Sequence, residues 1–200
     1  KDVARVHKVD NSLLELLWSQ PELSTRSTED LVLDWDLGSA LLPVAKKGVA
    51  LDPFYVRDPH RADHGGMRIR SGFTVEVAFE LRSLLPGQVL LDTRNEFGEG
   101  MSLMTAGGGT LSFTMSDGRT MSVWNSDKGS ISVEKRHFVT LIVDGGPKII
   151  MYVLDGILND GGNQRQFGWG RYNPYLQDVN GADTWRIGEH LEGEIDQMRI

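Results

Sequence analysis

Between residues 31 and 200 the apolar positions fall into short runs, alternating or continuous, separated by Gly, Asp, Asn and Pro. FTVEVAFEL at 73–81 is the clearest. Phe73, Val75, Val77, Phe79 and Leu81 share one face at a period of two, the mark of a half-buried strand. The same reading predicts strands over LVLDW (31–35), QVLLDT (88–93), MSLMTA (101–106), TLSFTMS (110–116) and RTMSVW (119–124). It continues through HFVTLIVD (137–144), KIIMYVLDG (148–156), TWRIG (184–188) and GEIDQMRI (193–200). Ser116-Asp117-Gly118 and Gly145-Gly146-Pro147 supply hairpin turns, since Gly and Asp tolerate the positive φ such turns need. Most connections are too short for a crossover helix, so the sheets are expected to be antiparallel. About ten to twelve strands in one domain, with no internal repeat, point to an all-β, two-sheet antiparallel jelly-roll β-sandwich.

Residues 1–30 break this pattern. Asn11-Ser12 can cap a short helix over Leu13, Leu14, Leu16, Leu17 and Trp18 that ends before Pro21, and ELSTRSTED (22–30) is polar and turn-like. The expected organisation is therefore an N-terminal helical appendage with a polar linker over 1–30 and a sandwich domain over 31–200. So short a helix is marginal alone and is expected to pack on the domain or to remain from a linker. Lys1 opens the chain without a charged-then-apolar leader, so a signal peptide or upstream domain is expected to have preceded it. Ile200 falls inside an apparent strand, and further sequence is expected after it.

Composition narrows the function classes. The net charge of −7 argues against docking on nucleic acid, which needs clustered Lys and Arg. No run approaches the roughly 20 apolar residues of a membrane helix. The absence of Cys removes a disulfide framework, a thiolate metal site and a Cys nucleophile. The 23 glycines place many turns, and with 200 residues there is material for one sizeable core.

Three segments in order resemble the laminin G-like (concanavalin A-like lectin/glucanase) jelly-roll family. GFTVEVAFEL (72–81) is similar to that family's "dFTiEaWvkl" strand. KRHFVTLIVDGGPKIIMYVLDGILNDGG (135–162) resembles its "wHhvavtvdg...lyvDG" hairpin, with His137 at the His position and Asp155-Gly156 at the turn. WRIGEHLEGEIDQMRI (185–200) is similar to "iGg...f.GeIDevrIy". The resemblance implies binding of sugar or protein, frequent attachment to secreted enzymes, and one structural Ca2+; fold alone does not decide function.

The related glucanases use a strand motif resembling E-I-D-x-x-E, whose outer carboxylates serve as nucleophile and general acid. Glu194, Ile195 and Asp196 match its beginning, but Gln197-Met198-Arg199 replaces its end, so the second Glu is missing. Asp196 and Arg199 are then expected in surface or inter-strand polar contacts. Glu76 and Glu80 alternate with the apolar face of 73–81, either lining an outer or concave groove or, as the commoner outcome, standing solvated. His60 and His64 lie with Asp52, Asp58 and Asp63 in DPFYVRDPHRADHGG (52–66). Pro and Gly there oppose the helix that a His-x-x-x-His zinc pair needs; oxygen ligands suit Ca2+ better, and a polar loop held by Asp-to-backbone bonds suits it best. No G-x-S-x-G elbow is present, and Gly107-Gly108-Gly109 reads as a turn.

The long stretch 154–188 is the strongest candidate for binding. It carries Phe167, Trp169, Tyr172, Tyr175 and Trp185 among Arg165, Gln166, Arg171, Asn173 and Asp178. Loops this long are uncommon and often functional. Flat rings stack on pyranose faces while amide and guanidinium groups bond hydroxyls. The candidate ligand-binding residues are Trp169, Tyr172, Tyr175, Arg165, Arg171 and Gln166. Against this stands a structural role, the loop folding over the sandwich edge with its rings buried, and that role is weighted more heavily. Asp160, Asp178, Asn180 and Asp183 form a second weak set for Ca2+.

The functional expectation is a non-catalytic carbohydrate-binding module of a secreted, periplasmic or cell-surface polysaccharide-processing protein, with no cofactor assigned from the residues and a structural Ca2+ suggested by the resemblance. The alternatives are a structural or protein-interaction domain that packs on a neighbouring domain and, third, a glycoside hydrolase of the same fold. The expected partner is a glycan or a neighbouring domain of a larger protein.

Overall fold

A computed structural model describes the backbone of residues 34–40 and 44–47, and residues 72–161, 168–176, 179, 181–182 and 184–200 in full. The helix expected over residues 11–20, the linker 22–30, the His60/His64 loop, and Arg165, Gln166, Phe167, Asp178, Asn180 and Asp183 lie outside the described residues. The helical appendage therefore has no support from the structure.

The described residues form thirteen strands and no helix. They are β1 (Asp34–Ala40), β2 (Val44–Lys47), β3 (Gly72–Leu81), β4 (Val89–Asp92), β5 (Gly100–Ala106), β6 (Thr110–Ser116) and β7 (Met121–Asn125). Then come β8 (Arg136–Asp144), β9 (Ile149–Leu154), β10 (Ile157–Leu158), β11 (Gly170–Arg171), β12 (Thr184–Ile187) and β13 (Gly193–Arg199). One sheet has the order β1-β13-β3-β8-β9-β10, with β11 also on β9; the other runs β2-β12-β4-β5-β6-β7. Every pairing is antiparallel.

The period-two faces meet between the sheets. Val75, Val77, Phe79 and Leu81 of β3 and Val139, Leu141 and Val143 of β8 join Leu103 of β5 and Leu111, Phe113 and Met115 of β6 in one buried cluster. Each such side chain contributes about 1.5–3 kcal/mol by leaving water. Asp155-Gly156 turns β9 into β10 as a two-residue hairpin with φ of 51° and 79°, the geometry that favours an Asp-Gly pair. Gly107-Gly108-Gly109 joins β5 to β6 as the expected turn.

One expectation on β3 is corrected. Glu76 is not solvated: it is 7% exposed, because it stands mid-sheet with Arg199 of β13 and Thr140 of β8 directly beside it. Glu80, two pleat repeats nearer the end, is half-buried. At the sheet's other expected carboxylates, Glu194 pairs with Arg82 at 3.2 Å and Asp196 with Arg136 at 2.9 Å, inter-element contacts of the expected kind.

Candidate functional site

The outward face of the β2–β7 sheet carries the most organised polar group in the described residues. On a regular strand, the alternation in VLLD would place Asp92 on the same side as Leu90, facing the core. A β-bulge between Val89 and Leu91 shifts the phase, so that Leu91 pairs with Leu103 and Asp92 with Ser102 on the outward side. Arg186 of β12 is the direct cross-strand partner of Asp92 on its other flank.

Asp92 is nonetheless 2% exposed, because two arginines close over it. Its Oδ1 accepts from the backbone N–H of Arg94 and from Arg94 Nε, both at 2.9 Å. Its Oδ2 accepts from Arg94 Nη2 at 2.7 Å and from Arg186 Nη2. The side chains of Arg94 and Arg186 keep 31% and 45% of their surface in solvent. The hydrogen bond to Asp92, with its charge, raises the Arg94 guanidinium above its ordinary range against the lowering effect of burial. Arg186 Nη1 also lies 3.6 Å from Glu189. Arg94 grips Asp92 through its Nε/Nη2 fork and Arg186 through Nη2 alone, so a single buried carboxylate orients two guanidinium groups.

β12 is held in this register by the segment before it. Gly181 (φ 73°) lies so close to Thr93 that a Cβ there would fall within 3.0 Å of the Thr93 and Glu99 carbonyl oxygens. The Ala182 N–H then donates to the Thr93 carbonyl at 2.6 Å.

Across the same face the register continues from Ser102 to Thr114 of β6 and on to Val123 of β7. Ser112 and Thr114 are half-buried, whereas Met121, Val123 and Asn125 on the edge strand are exposed. The face therefore has a floor of Ser112, Thr114 and Met104, whose sulfur lies 3.7 Å from Arg94 Nη2, a guanidinium flank, and an edge of Met121, Val123 and Asn125.

The long loop adjoins that edge. Gly170 and Arg171 pair with Ile150 and Ile149 of β9, the Tyr172 N–H donates to the Lys148 carbonyl at 3.2 Å, and the Asn173 N–H donates to Ser122 Oγ of β7 at 2.9 Å. The loop thus bridges the two sheets along one side of the sandwich. Its candidate residues divide. Tyr172 is 3% exposed and belongs to the core with Leu176 and Val179; burial, aided by the charge of Asp144, pushes its phenol up. Trp169 is 37% and Tyr175 75% exposed, and Arg171 is exposed. The loop is anchored by one ring and presents two others beside β7.

A third constellation joins residues that the sequence pattern did not bring together. His137 Nδ1 lies 2.9 Å from Asp155 Oδ2, and its Nε2 lies 3.2 Å from Ser132 Oγ, the spacing of a Ser-His-Asp triad. The Ser132 backbone N–H, however, donates to the same Nε2 at 3.0 Å. The lone pair a general base would use is already engaged, and that bond places the ring proton on Nδ1, toward Asp155. With Lys135 Nζ and the Phe138 N–H also on Asp155, the group works as a clasp that ties the loop before β8 to the β9–β10 turn. His137 is 2% exposed.

Among the described residues no group of three or more His, Cys, Asp or Glu side chains is arranged to hold a metal ion. Among them also, no helix is long and apolar enough to cross a membrane.

No family model matches the sequence, and no curated protein matches it. Solved structures do. The CBM40 domain of the Ruminococcus gnavus IT-sialidase bound to α2,3-sialyllactose superposes with a TM-score of 0.50 at 14% identity, over 78% of this chain and 89% of that one. Domains LG4-5 of the mouse laminin α1 chain give 0.48 at 11% identity, over 89% of this chain and 45% of that one. The carbohydrate-binding module CBM66 from Bacillus subtilis gives 0.32 at 14% identity, over 63% and 71%. At 14% identity the likeness to the IT-sialidase module is one of fold alone.

Proposed function

We propose that the chain is a jelly-roll carbohydrate-binding module of a secreted or cell-surface protein, and that it recognises glycan on the outward face of the β2–β7 sheet. The observation that carries this reading is the Arg94–Asp92–Arg186 group. It is a pair of solvent-reaching guanidinium groups fixed by a buried carboxylate at the side of a floor of Met104, Ser112 and Thr114. Few-kcal/mol recognition of a sugar needs such pre-oriented donors, because sugar hydroxyls are bound in competition with water. Trp169 and Tyr175 offer exposed ring faces beside the same edge, and Arg171 adds a cation. The IT-sialidase module of this fold was solved with sialyllactose, which supports a glycan as the ligand class.

The test is binding of a neutral and sialylated glycan panel by array and calorimetry, for the parent chain and for Arg186→Ala, Trp169→Ala and Tyr175→Ala. The expected result is saturable binding that falls at least ten-fold in Arg186→Ala, with the fold retained by circular dichroism. The aromatic variants report whether the ligand extends past β7. Absence of binding across the panel, or binding unchanged in all three variants, overturns the reading.

A further inference from the structure

On the sheet β1–β13–β3–β8–β9, the face turned away from the core is polar over β13 and β3, with Arg199, Glu76 and Glu80, but apolar over β8 and β9, where an outer antiparallel face is ordinarily polar. Phe138 and Ile142 on β8 and Ile149, Met151 and Val153 on β9 all point outward, out of phase with their buried neighbours, and all are half-buried. They adjoin one another: Ile142 pairs with Met151, Thr140 with Val153, and Asp144 with Ile149. On β3 the outward Ala78, opposite Phe138, is 1% exposed. HFVTLIV and IIMYVL are apolar at nearly every position, the composition of strands covered on both sides.

One transverse row locates what can reach this face. In register across the sheet lie Asp34, Arg199, Glu76, Thr140 and Val153. The chain thus enters β1 level with the middle of the apolar patch, three to four strands away, or roughly 14–19 Å at about 4.8 Å per strand. Between Trp18 and Asp34 stand 33 − 18 = 15 residues, an extended reach of about 50 Å. At helical spacing Leu13, Leu14, Leu16, Leu17 and Trp18 share one side, and Ser12, Glu15 and Ser19 share the other.

We propose that the segment Leu13–Trp18 docks its apolar side on the outward face of β8 and β9, making this sheet the middle layer of three. The occupant is a segment of this chain rather than a second copy or a separate domain, because it has matching apolar character and is tethered at the level of the patch. The tether gives it an effective concentration in the millimolar range.

The chain has no cysteine, which allows a direct test in the full-length protein. Single variants Met151→Cys and Val153→Cys report the face, and Ser112→Cys reports the outward face of the other sheet. The expected result is maleimide labelling at least ten-fold slower at 151 or 153 than at 112, relieved when Leu13→Asp and Leu17→Asp are added. It further predicts that Leu14→Cys/Met151→Cys or Leu17→Cys/Met151→Cys forms an intramolecular disulfide under mild oxidant, mapped by mass spectrometry, while Leu14→Cys/Ser112→Cys does not. Equal labelling rates without a cross-link overturn the proposal. So do cross-links only between chains with a dimer by light scattering, which would make a second copy the occupant, and protection unchanged by the Asp substitutions, which would remove the segment from the face.

Discussion

Asp92 is the test of whether the outward polar group is an assembled unit. Replacing it by Asn keeps the shape and removes the charge. The carboxylate accepts four hydrogen bonds, three of them from guanidinium groups, and is almost wholly buried. Breaking a fully buried ion pair costs about 3–5 kcal/mol, whereas an exposed pair is worth about 0.2–1 kcal/mol. Here the acceptor is buried while Arg94 and Arg186 keep 31% and 45% of their surface in water, so both can rehydrate. The expected loss lies between those limits, at about 2–3 kcal/mol. The new amide adds a further cost, because its NH2 would stand where the Arg94 and Arg186 N–H groups now converge. In a domain of this size that lowers Tm by roughly 4–12 °C. Urea titration of the parent, Asp92→Asn, Arg186→Ala and the double variant measures both the loss and the coupling. Because Asp92→Asn also frees the two arginines from a common orientation, glycan affinity is expected to fall with it. A change below about 0.5 kcal/mol, with no coupling to Arg186→Ala, would refute the reasoning.

Gly170→Ala is expected to destabilise by at least about 2 kcal/mol, since a Cβ there would lie within 3.0 Å of the Trp124 ring, which packs against the core. Gly107→Ala, where a Cβ meets nothing within 4 Å, is the control, read by thermal denaturation. Burial pushes the Asp155 carboxyl up, but the Phe138 N–H, Lys135 and His137 outweigh it and hold the group below its ordinary 3.8. Its stabilisation is therefore complete above about pH 4 and lost as pH falls through the lower folded value, and Asp155→Asn should flatten that acid limb of a stability–pH curve.

The strand set was legible because its cause is local. Period-two alternation in 73–81 and 137–144, and Asp-Gly at 155–156, depend on side-chain direction and backbone φ, which the residues carry with them. The strand over 119–124 was displaced only slightly, to Met121–Asn125, since the turn continues to the Asp117–Thr120 hydrogen bond. The two-residue β10 and β11 were too short to give a pattern; pairing with β9 defines them. Within the long loop, composition marked Trp169, Tyr172 and Tyr175 alike, but exposure is a property of the packed sandwich. It buried the second ring and left the first and third outside. The Arg94–Asp92–Arg186 group was out of reach for a stronger reason. Its members come from positions 94 residues apart, and alternation alone would have turned Asp92 inward. Local chemistry along the chain thus determined which residues are strand and turn. The bulge in β4 and the cross-strand register of β12 decided which of them share a surface, because both exist only once distant strands have paired.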